Sequence, residues 1–140
     1  MLPRHRIIFA CLLVLLASCK QQILEPFASD GCSAFPDGTF AHNELWLQCC
    51  VAHDLAYWQG GTYDDRLQAD KALKQCVAKV GQQEIAQLML AGVRVGGTPF
   101  LPTSFRWSYG WPYPRGYREP TPEEQQQIKK LLPSAQQDSL

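Results

Sequence analysis

The chain has 140 residues, of which 46% are apolar and 19% charged, a composition that suits a single folded domain and argues against wholesale disorder. Its 13 basic and 13 acidic side chains cancel, so it lacks the basic excess of a dedicated nucleic-acid-binding protein. The only long apolar run, Ile7–Leu16, is about half as long as a membrane-spanning helix, which excludes a polytopic membrane protein.

The first feature along the chain is an export signal. Basic residues precede the apolar run and small residues follow it, which predicts a secretory signal peptide over residues 1–18, with a buried N-terminal helix as the alternative. Leu16–Cys19 (LASC) resembles the lipobox of bacterial lipoproteins, in which the cysteine is acylated. Ordinary cleavage nearby, with Cys19 left as a thiol, stays open. The resemblance implies an exported protein held in the bacterial envelope by lipid on Cys19, and Lys20, which is not the aspartate of inner-membrane retention, indicates the outer membrane.

The next part of the chain is predicted to be a tether, a loop and helices. Residues 19–29 are expected to form the tether. Residues 30–39 (DGCSAFPDGT, the 30–39 loop) are dense in turn-forming residues. Apolar residues at helical spacing predict three helices within a core of residues 30–95, over Leu45–Trp58, Asp64–Val80 and Gln82–Val93. The apolar stripes of the second and third helices run through Leu67, Leu73, Val77 and Val80, and through Ile85, Leu88, Met89 and Gly92.

Residues 96–121 (the aromatic segment) carry aromatic side chains among prolines and glycines, and the prolines disfavour a strand. Their expected role is to cover the apolar faces of short helices, because a small core needs covering. The alternative places Trp107, Trp111 and Tyr113 at the rim of a substrate channel or at a lipid interface. Three arginines lie near enough in sequence to meet phosphate there: Arg106, Arg115 and Arg118.

The last part of the chain, residues 122–140, is predicted to be a short helix and a disordered tail. Thr121 begins a T-P-E-E pattern, which is a capping signature for a helix over Pro122–Leu132. The tail covers Ser134–Leu140.

Four cysteines remain when the one in the signal segment and Cys19 are set aside: Cys32, Cys49, Cys50 and Cys76. An even number in an exported protein predicts two disulfides. Of the possible pairings, the one that joins the two neighbours is strained, and the other two stay open. A zinc site built from Cys49, Cys50, Cys76 and His53 is the alternative, although adjacent cysteines fit the usual ligand spacing of zinc poorly.

Two polar residues lie where the helical pattern calls for apolar ones. His53 shares a stripe with the cysteines of the first helix, and Asp70 lies on the buried face of the second. Because a buried carboxylate costs several kcal/mol unless it is paired, we expect Asp70 to bond His53. Such a bond to one ring nitrogen leaves the other as a proton acceptor, which is the arrangement of a general base. A core histidine without catalytic role is the structural alternative.

Asp54 follows His53 directly and points about 100° away around the helix. It would face the 30–39 loop if Cys32 were bonded to this helix. One carboxylate together with loop carbonyl oxygens is a hard-cation site suited to calcium. A solvated surface acid beside a simple connector is the other interpretation, and periodicity alone does not separate them.

The run Cys49–Tyr57 (CCVAHDLAY) resembles the active-site helix of the secreted phospholipase A2 family, whose motif is C-C-x-x-H-D-x-x-Y. In that family an aspartate that partners the catalytic histidine precedes a cysteine by six residues, and Asp70 stands at the same distance before Cys76. Cys32 matches the family's cysteine ahead of the helix. The resemblance covers Gly31–Val80.

The resemblance implies an enzyme that hydrolyses the sn-2 ester of glycerophospholipids with a water nucleophile and no acyl-enzyme. His53 would be the base, Asp70 its orienter, and Tyr57 a hydrogen-bonding support for the pair. Phospholipid and the membrane are the implied partners. The sequence does not indicate an oligomeric state.

The resemblance also implies a bound calcium ion, which polarises the ester carbonyl. Its ligands would be the Asp54 carboxylate and loop carbonyls, for which the candidates are Gly31, Ser33 and Phe35. The implied disulfides are Cys32–Cys50 and Cys49–Cys76. The expected fold is then mainly α, with two antiparallel disulfide-linked helices, a calcium-loop segment, a third packed helix and an irregular aromatic C-terminal segment.

Two departures from the family pattern bear on activity. The loop reads GCSAFPDG where the family has x-C-G-x-G-G, and Asp37 is an additional candidate carboxylate. The hairpin Gly60–Tyr63 leaves no room for the β-wing of the animal enzymes. The altered loop supports a second hypothesis, a catalytically silent relative that binds lipid or an envelope partner.

Overall fold

The computed structural model describes residues 22–80 and 82–134. This part of the chain contains four α-helices and no strand: α1 Leu47–Gln59, α2 Tyr63–Lys79, α3 Gln83–Gly96 and α4 Pro122–Leu131. The mainly α class expected from the sequence is confirmed. None of these helices is long and apolar enough to cross a bilayer. The predicted signal segment 1–18, Cys19 and most of the predicted tail lie outside the described residues.

The first two helices form an antiparallel pair joined by a short turn. Gly60 ends α1 at φ 72°, in the left-handed region that glycine enters without strain. Thr62 begins α2 with a capping box, in which its hydroxyl accepts the N–H of Asp65 and the Asp65 carboxylate accepts the N–H of Thr62. The tight turn therefore sets the two helices side by side, in keeping with the short hairpin Gly60–Tyr63.

Two disulfides hold this arrangement. Cys49–Cys76 joins α1 to α2, and Cys32–Cys50 joins the 30–39 loop to α1. These are the pairings that the phospholipase A2 resemblance implies. Because the four sulfur atoms form two S–S bonds, the alternative in which these cysteines are zinc ligands is wrong.

The first helix begins two residues later than predicted, because Trp46 is hydrogen-bonded to the 30–39 loop. Its backbone N–H donates to the carbonyl of Asp37 at 3.0 Å, and its indole Nε1 donates to the carbonyl of Pro36 at 2.6 Å. The 30–39 loop is therefore attached to the start of α1 by hydrogen bonds as well as by its disulfide.

The third helix packs along α2 and extends past its predicted end at Val93. Arg66 of α2 donates to the last-turn carbonyls of Val93 and Arg94, at 2.8 and 2.9 Å, and this stabilises the extra turn. The core between α1, α2 and α3 contains Trp46, Cys49, Cys50, Leu73, Val77, Ala86 and Met89.

Part of the predicted apolar stripes is exposed. Val80 is 40% exposed at the end of α2, and Leu88 is 57% exposed on α3, where Gly92 is exposed as well. These three residues lie outside the core cluster, to which α3 contributes Ala86 and Met89 with the partly buried Ile85 and Val93.

A second cluster on the other side of α1 joins the two ends of the described chain. Its buried members are Leu24, Trp58, Trp111, Ile128 and Leu132. Leu24 is 2% exposed. The N–H of the neighbouring Glu25 donates to the carbonyl of Gly110, and its carbonyl accepts the indole N–H of Trp58. This part of the predicted tether, residues 19–29, is therefore attached to the fold through the buried Leu24.

The fourth helix begins as its capping signature predicts. The Thr121 hydroxyl accepts the N–H of Glu124, the Glu124 carboxylate accepts the N–H of Thr121, and Pro122 occupies the first turn. It ends at Leu131, one residue before the predicted end.

The aromatic segment contains no helix or strand beyond the last residue of α3, and its two tryptophans are core. Trp107 and Trp111 are each 1% exposed, and their indole N–H groups donate to the carbonyls of Gly61 and Gln59 beside the α1–α2 turn. The covering role is confirmed for both, and their placement at a rim or a lipid interface is wrong. Tyr113 remains half exposed.

The three arginines of this segment have protein partners. Arg106 is buried and donates to the carbonyls of Thr103 and Trp111. Arg115 and Arg118 form ion pairs with Glu124, at 2.9 and 2.6 Å. These contacts occupy Nη donors that the alternative would use to bind phosphate.

Candidate active site

The antiparallel pair brings His53 and Asp70 together. His53 is 8% exposed, Asp70 is completely buried, and His53 Nε2 lies 3.1 Å from Asp70 Oδ1. An ionised carboxylate only accepts hydrogen bonds, so Nε2 carries the ring proton in the neutral imidazole. Nδ1 is then the acceptor nitrogen, as a general base requires.

Two further side chains contact the Asp70 carboxylate. The Tyr57 hydroxyl donates to Oδ1 at 2.7 Å, and Arg94 Nε forms an ion pair with Oδ2 at 2.6 Å. Burial by itself would raise the pKa of Asp70, but hydrogen bonds from His53 and Tyr57 and the nearby Arg66 charge bring that pKa below its usual value. Asp70 is therefore a buried anion at neutral pH.

Tyr57 serves as a donor to this anion. Burial and the Asp70 charge raise the pKa of Tyr57 far above its usual value, so the hydroxyl stays protonated. Arg66, which is 4% exposed, donates from Nε to the same hydroxyl at 3.0 Å and from Nη1 to Tyr117 at 2.6 Å. The predicted support of the pair by Tyr57 thus has a matching geometry.

Sequence reasoning missed Arg66 and Arg94. Arg66 lies one helical turn before Asp70 on the same face of α2, so the helical pattern contained a signal for it. Arg94 had no such signal, because its contact with Asp70 depends on how α3 docks on α2.

Asp54 faces the 30–39 loop, as expected if Cys32 is bonded to α1. It is 8% exposed, and its Oδ2 accepts the hydroxyl of Ser29 at 2.6 Å. Burial raises the pKa of Asp54 to about 6, against the effect of the Ser29 hydrogen bond, and the charges of Asp30 and Asp37 add to the rise. This corner of the molecule therefore has an excess of negative charge.

The 30–39 loop has a fixed shape at its disulfide. Gly31 and Ser33 have positive φ values of 75° and 54°. Asp37 Oδ1 accepts the N–H of Cys32 at 2.8 Å, and it lies 2.5 Å from where a Cβ on Gly31 would stand, so this position requires glycine. Asp37 thus has a structural role inside the loop.

The loop leaves three carbonyl groups available. Among the described residues, no donor reaches the carbonyl oxygens of Gly31, Ser33 or Phe35. These residues line the same pocket as Asp54. The described part of the chain has no group of three or more His, Cys, Asp or Glu residues that could hold a metal, so a cation here would depend on carbonyl oxygens.

A pocket of about 330 Å³ connects these groups. His53, Asp54 and Tyr57 line it together with the 30–39 loop, and the remaining wall is mostly apolar. Leu88 and Phe105, which are 57% and 37% exposed, belong to that wall. The polar groups therefore share one cavity with a surface suited to a hydrocarbon chain.

Comparison with protein-family models gives no match, and neither the curated proteins nor the solved structures give a significant one.

The candidate site consists of His53, Tyr57 and Asp70 in direct contact, with Asp54 and the 30–39 loop lining the same pocket. Cys19 lies outside the described residues.

Proposed function

We propose that the protein is a calcium-dependent, phospholipase A2-like enzyme that hydrolyses the sn-2 ester of glycerophospholipids. The observation that carries this proposal is the buried His53–Asp70 pair beside Asp54 in one apolar pocket. A histidine with an ionised orienter next to a hard-oxygen corner suits the attack of water on an ester.

His53 would take a proton from water at Nδ1 while Nε2 remains bonded to Asp70. Asp70 keeps the ring in the required tautomer and stabilises the imidazolium that forms, because it is a buried anion. Tyr57 holds Asp70 from the side, and its own hydroxyl is fixed by Arg66. A general base positioned in this way contributes roughly 10²- to 10⁴-fold to a rate.

Asp54 and the 30–39 loop offer the types of oxygen ligand that calcium prefers. Asp54 would supply a carboxylate, and Gly31, Ser33 and Phe35 would supply carbonyl oxygens, the hard donors that calcium prefers. Burial raises the pKa of Asp54 to about 6 and the charges of Asp30 and Asp37 add to the rise, so a cation would be favoured there. Bound calcium would polarise the ester carbonyl and stabilise the oxyanion.

The lining of the pocket supports a lipid as the substrate. Its wall is built from α3 and Phe105, and the exposed Leu88 belongs to it. An acyl chain would bury apolar surface there, at about 25 cal/mol per Å². A lipid attached to Cys19 would keep the enzyme beside its substrate. Intact-mass measurement of the membrane fraction would detect this lipid.

The test uses vesicles whose phospholipid carries a labelled acyl chain at either the sn-2 or the sn-1 position. We expect release of labelled fatty acid from the sn-2 position only, in the presence of calcium, and loss of release in chelator. Release from sn-1, or equal release in chelator, would overturn the proposal.

The second candidate is a catalytically silent protein that binds lipid in the same pocket. The observation that favours it is that Ser29, directly before the altered loop, already donates to one oxygen of Asp54. A non-hydrolysable ether phospholipid separates the two functions. Binding of the ether lipid without hydrolysis of the ester would select the silent relative.

A further inference from the structure

Arg94 lies in the last turn of α3, outside the motif shared with phospholipase A2, yet it reaches the buried carboxylate of Asp70. Its Nε lies 2.6 Å from Asp70 Oδ2, as an ion pair rather than an aligned hydrogen bond. Its Nη2 donates to the carbonyl of Leu67 at 3.3 Å. Since His53 and Tyr57 both contact Oδ1, Arg94 is the partner of the opposite oxygen.

The backbone that carries Arg94 is itself fixed by α2. Arg66 Nη2 donates to the carbonyls of Val93 and Arg94, and Arg94 contacts α2 in return. The two arginines thus connect α2 and α3 in both directions. The helix that forms the apolar wall of the pocket is thereby linked to the His53–Asp70 pair.

A carboxylate with partners on both oxygens has one orientation. Without Arg94, the completely buried Oδ2 would lose the cation that contacts it, which is strongly unfavourable. Asp70 would then turn toward another donor, such as Arg66, and its bond to His53 Nε2 would weaken.

We propose that Arg94 is a positioning residue, which fixes the plane of the Asp70 carboxylate so that Oδ1 stays bonded to His53 Nε2. Its effect on catalysis rests on the proposed function, but its effect on the imidazole does not. Arg94 touches neither water nor ester in this role. It acts through Asp70.

The test compares Arg94→Gln, Arg94→Lys and the control Arg118→Gln by nitrogen NMR of the histidine rings. The side chains of Arg94 and Arg118 are 34% and 38% exposed, and each forms one ion pair at 2.6 Å, with Asp70 and Glu124. We expect the Nε2–H tautomer of His53 in the wild type and in Arg118→Gln. Arg94→Gln should give a mixture of tautomers, and Arg94→Lys should restore Nε2–H because it keeps the charge.

Hydrolysis gives an independent readout. Arg94→Gln should lower kcat at least about tenfold with KM unchanged, because it misplaces the base and leaves the pocket wall intact. Arg94→Lys should recover much of kcat, and Arg118→Gln should not change it. Should Arg94→Gln fail to fold, Arg94→Met, which has no charge or donor, takes its place.

An unchanged Nε2–H tautomer in Arg94→Gln would overturn the proposal, whether or not the wild type hydrolyses lipid. A wild type with the Nε2–H tautomer, a mixture in Arg94→Gln and no hydrolysis at all would support the positioning role and refute the proposed function. The two failures are therefore distinguishable.

Discussion

Asp54 is a carboxylate whose charge the fold tolerates poorly. Burial raises its pKa from 3.8 to about 6, and the neighbouring carboxylates Asp30 and Asp37 add to the rise. A carboxyl whose folded pKa is raised contributes stability that is present below its unfolded pKa and is lost as the pH rises through the folded value. Ionised Asp54 therefore opposes folding above about pH 6 unless a cation balances it.

Asp54→Asn tests this charge. In chelator at pH 8 it should raise the free energy of unfolding by up to about 3 kcal/mol, and the gain should shrink as the pH falls from 6 toward 4. Urea denaturation at each pH measures it. Calcium should stabilise the wild type and not the variant. A variant that is no more stable than the wild type at pH 8 contradicts the assignment.

His53, Asp70 and Asp54 could be found from sequence because each is a polar residue at a defined position of a helical pattern. Asp70 is the clearest case, since a carboxylate on a buried stripe needs a partner. Arg94 could not be found, because its position over Asp70 is set by helix docking and not by the pattern of α3 itself.

The helices differ in how far their ends could be predicted. α2 is bounded by local signals, the capping Thr62 and the end of its stripe, and its predicted bounds were right to within one residue. Tertiary contacts set the start of α1 and the end of α3. Trp46 is bonded to the 30–39 loop, and Arg66 extends α3 to Gly96.

The two disulfides should differ in what they stabilise. Replacing Cys49 and Cys76 together by alanine removes a link across 27 residues and should lower the free energy of unfolding by about 3 to 4 kcal/mol on the chain-entropy model. Calcium affinity should change little. Replacing Cys32 and Cys50 should weaken calcium binding, because that disulfide attaches the 30–39 loop. Urea denaturation and calcium titration measure both effects, and equal losses of calcium affinity in the two variants would refute this division.

The aromatic segment covers the α1–α2 turn with two indoles. Trp107→Ala and Trp111→Ala should each lower the free energy of unfolding by about 3 to 5 kcal/mol, since each removes a buried ring and a hydrogen bond to the turn. Phe40→Ala, at a fully exposed aromatic residue, is the control and should change it little. Thermal unfolding of the variants and the wild type measures these differences in stability. A tryptophan variant as stable as the control would show that the segment is not core.

On the scale of the whole molecule, one carboxylate joins three parts of the chain. Glu124 of α4 receives hydrogen bonds from Arg115 and Arg118, which also bond the Gln22 side chain near the start of the described chain. Burial would raise the pKa of Glu124, but the two arginines outweigh it and lower that pKa to about 2. A lowered pKa contributes stability that is present above the unfolded value and is lost as the pH falls through the folded one.

Glu124→Gln should therefore lower the free energy of unfolding at pH 7 by up to about 3 kcal/mol, because the pKa falls from 4.5 to about 2 in the folded protein. The difference from the wild type should disappear as the pH approaches 2. Urea denaturation at pH 7 and pH 3 measures it, with the exposed Glu119→Gln as the control. An equal difference at both pH values would contradict the ion-pair explanation.

The central proposal is that His53 acts as the base of a calcium-dependent hydrolysis. The direct measurement is the rate of sn-2 fatty-acid release by the wild type and by His53→Gln at saturating calcium, after calcium titration and thermal unfolding have shown that both bind the ion and fold. The account predicts release by the wild type and a loss of about 100-fold or more in His53→Gln. Equal rates in the two proteins, or no release by either, would contradict it.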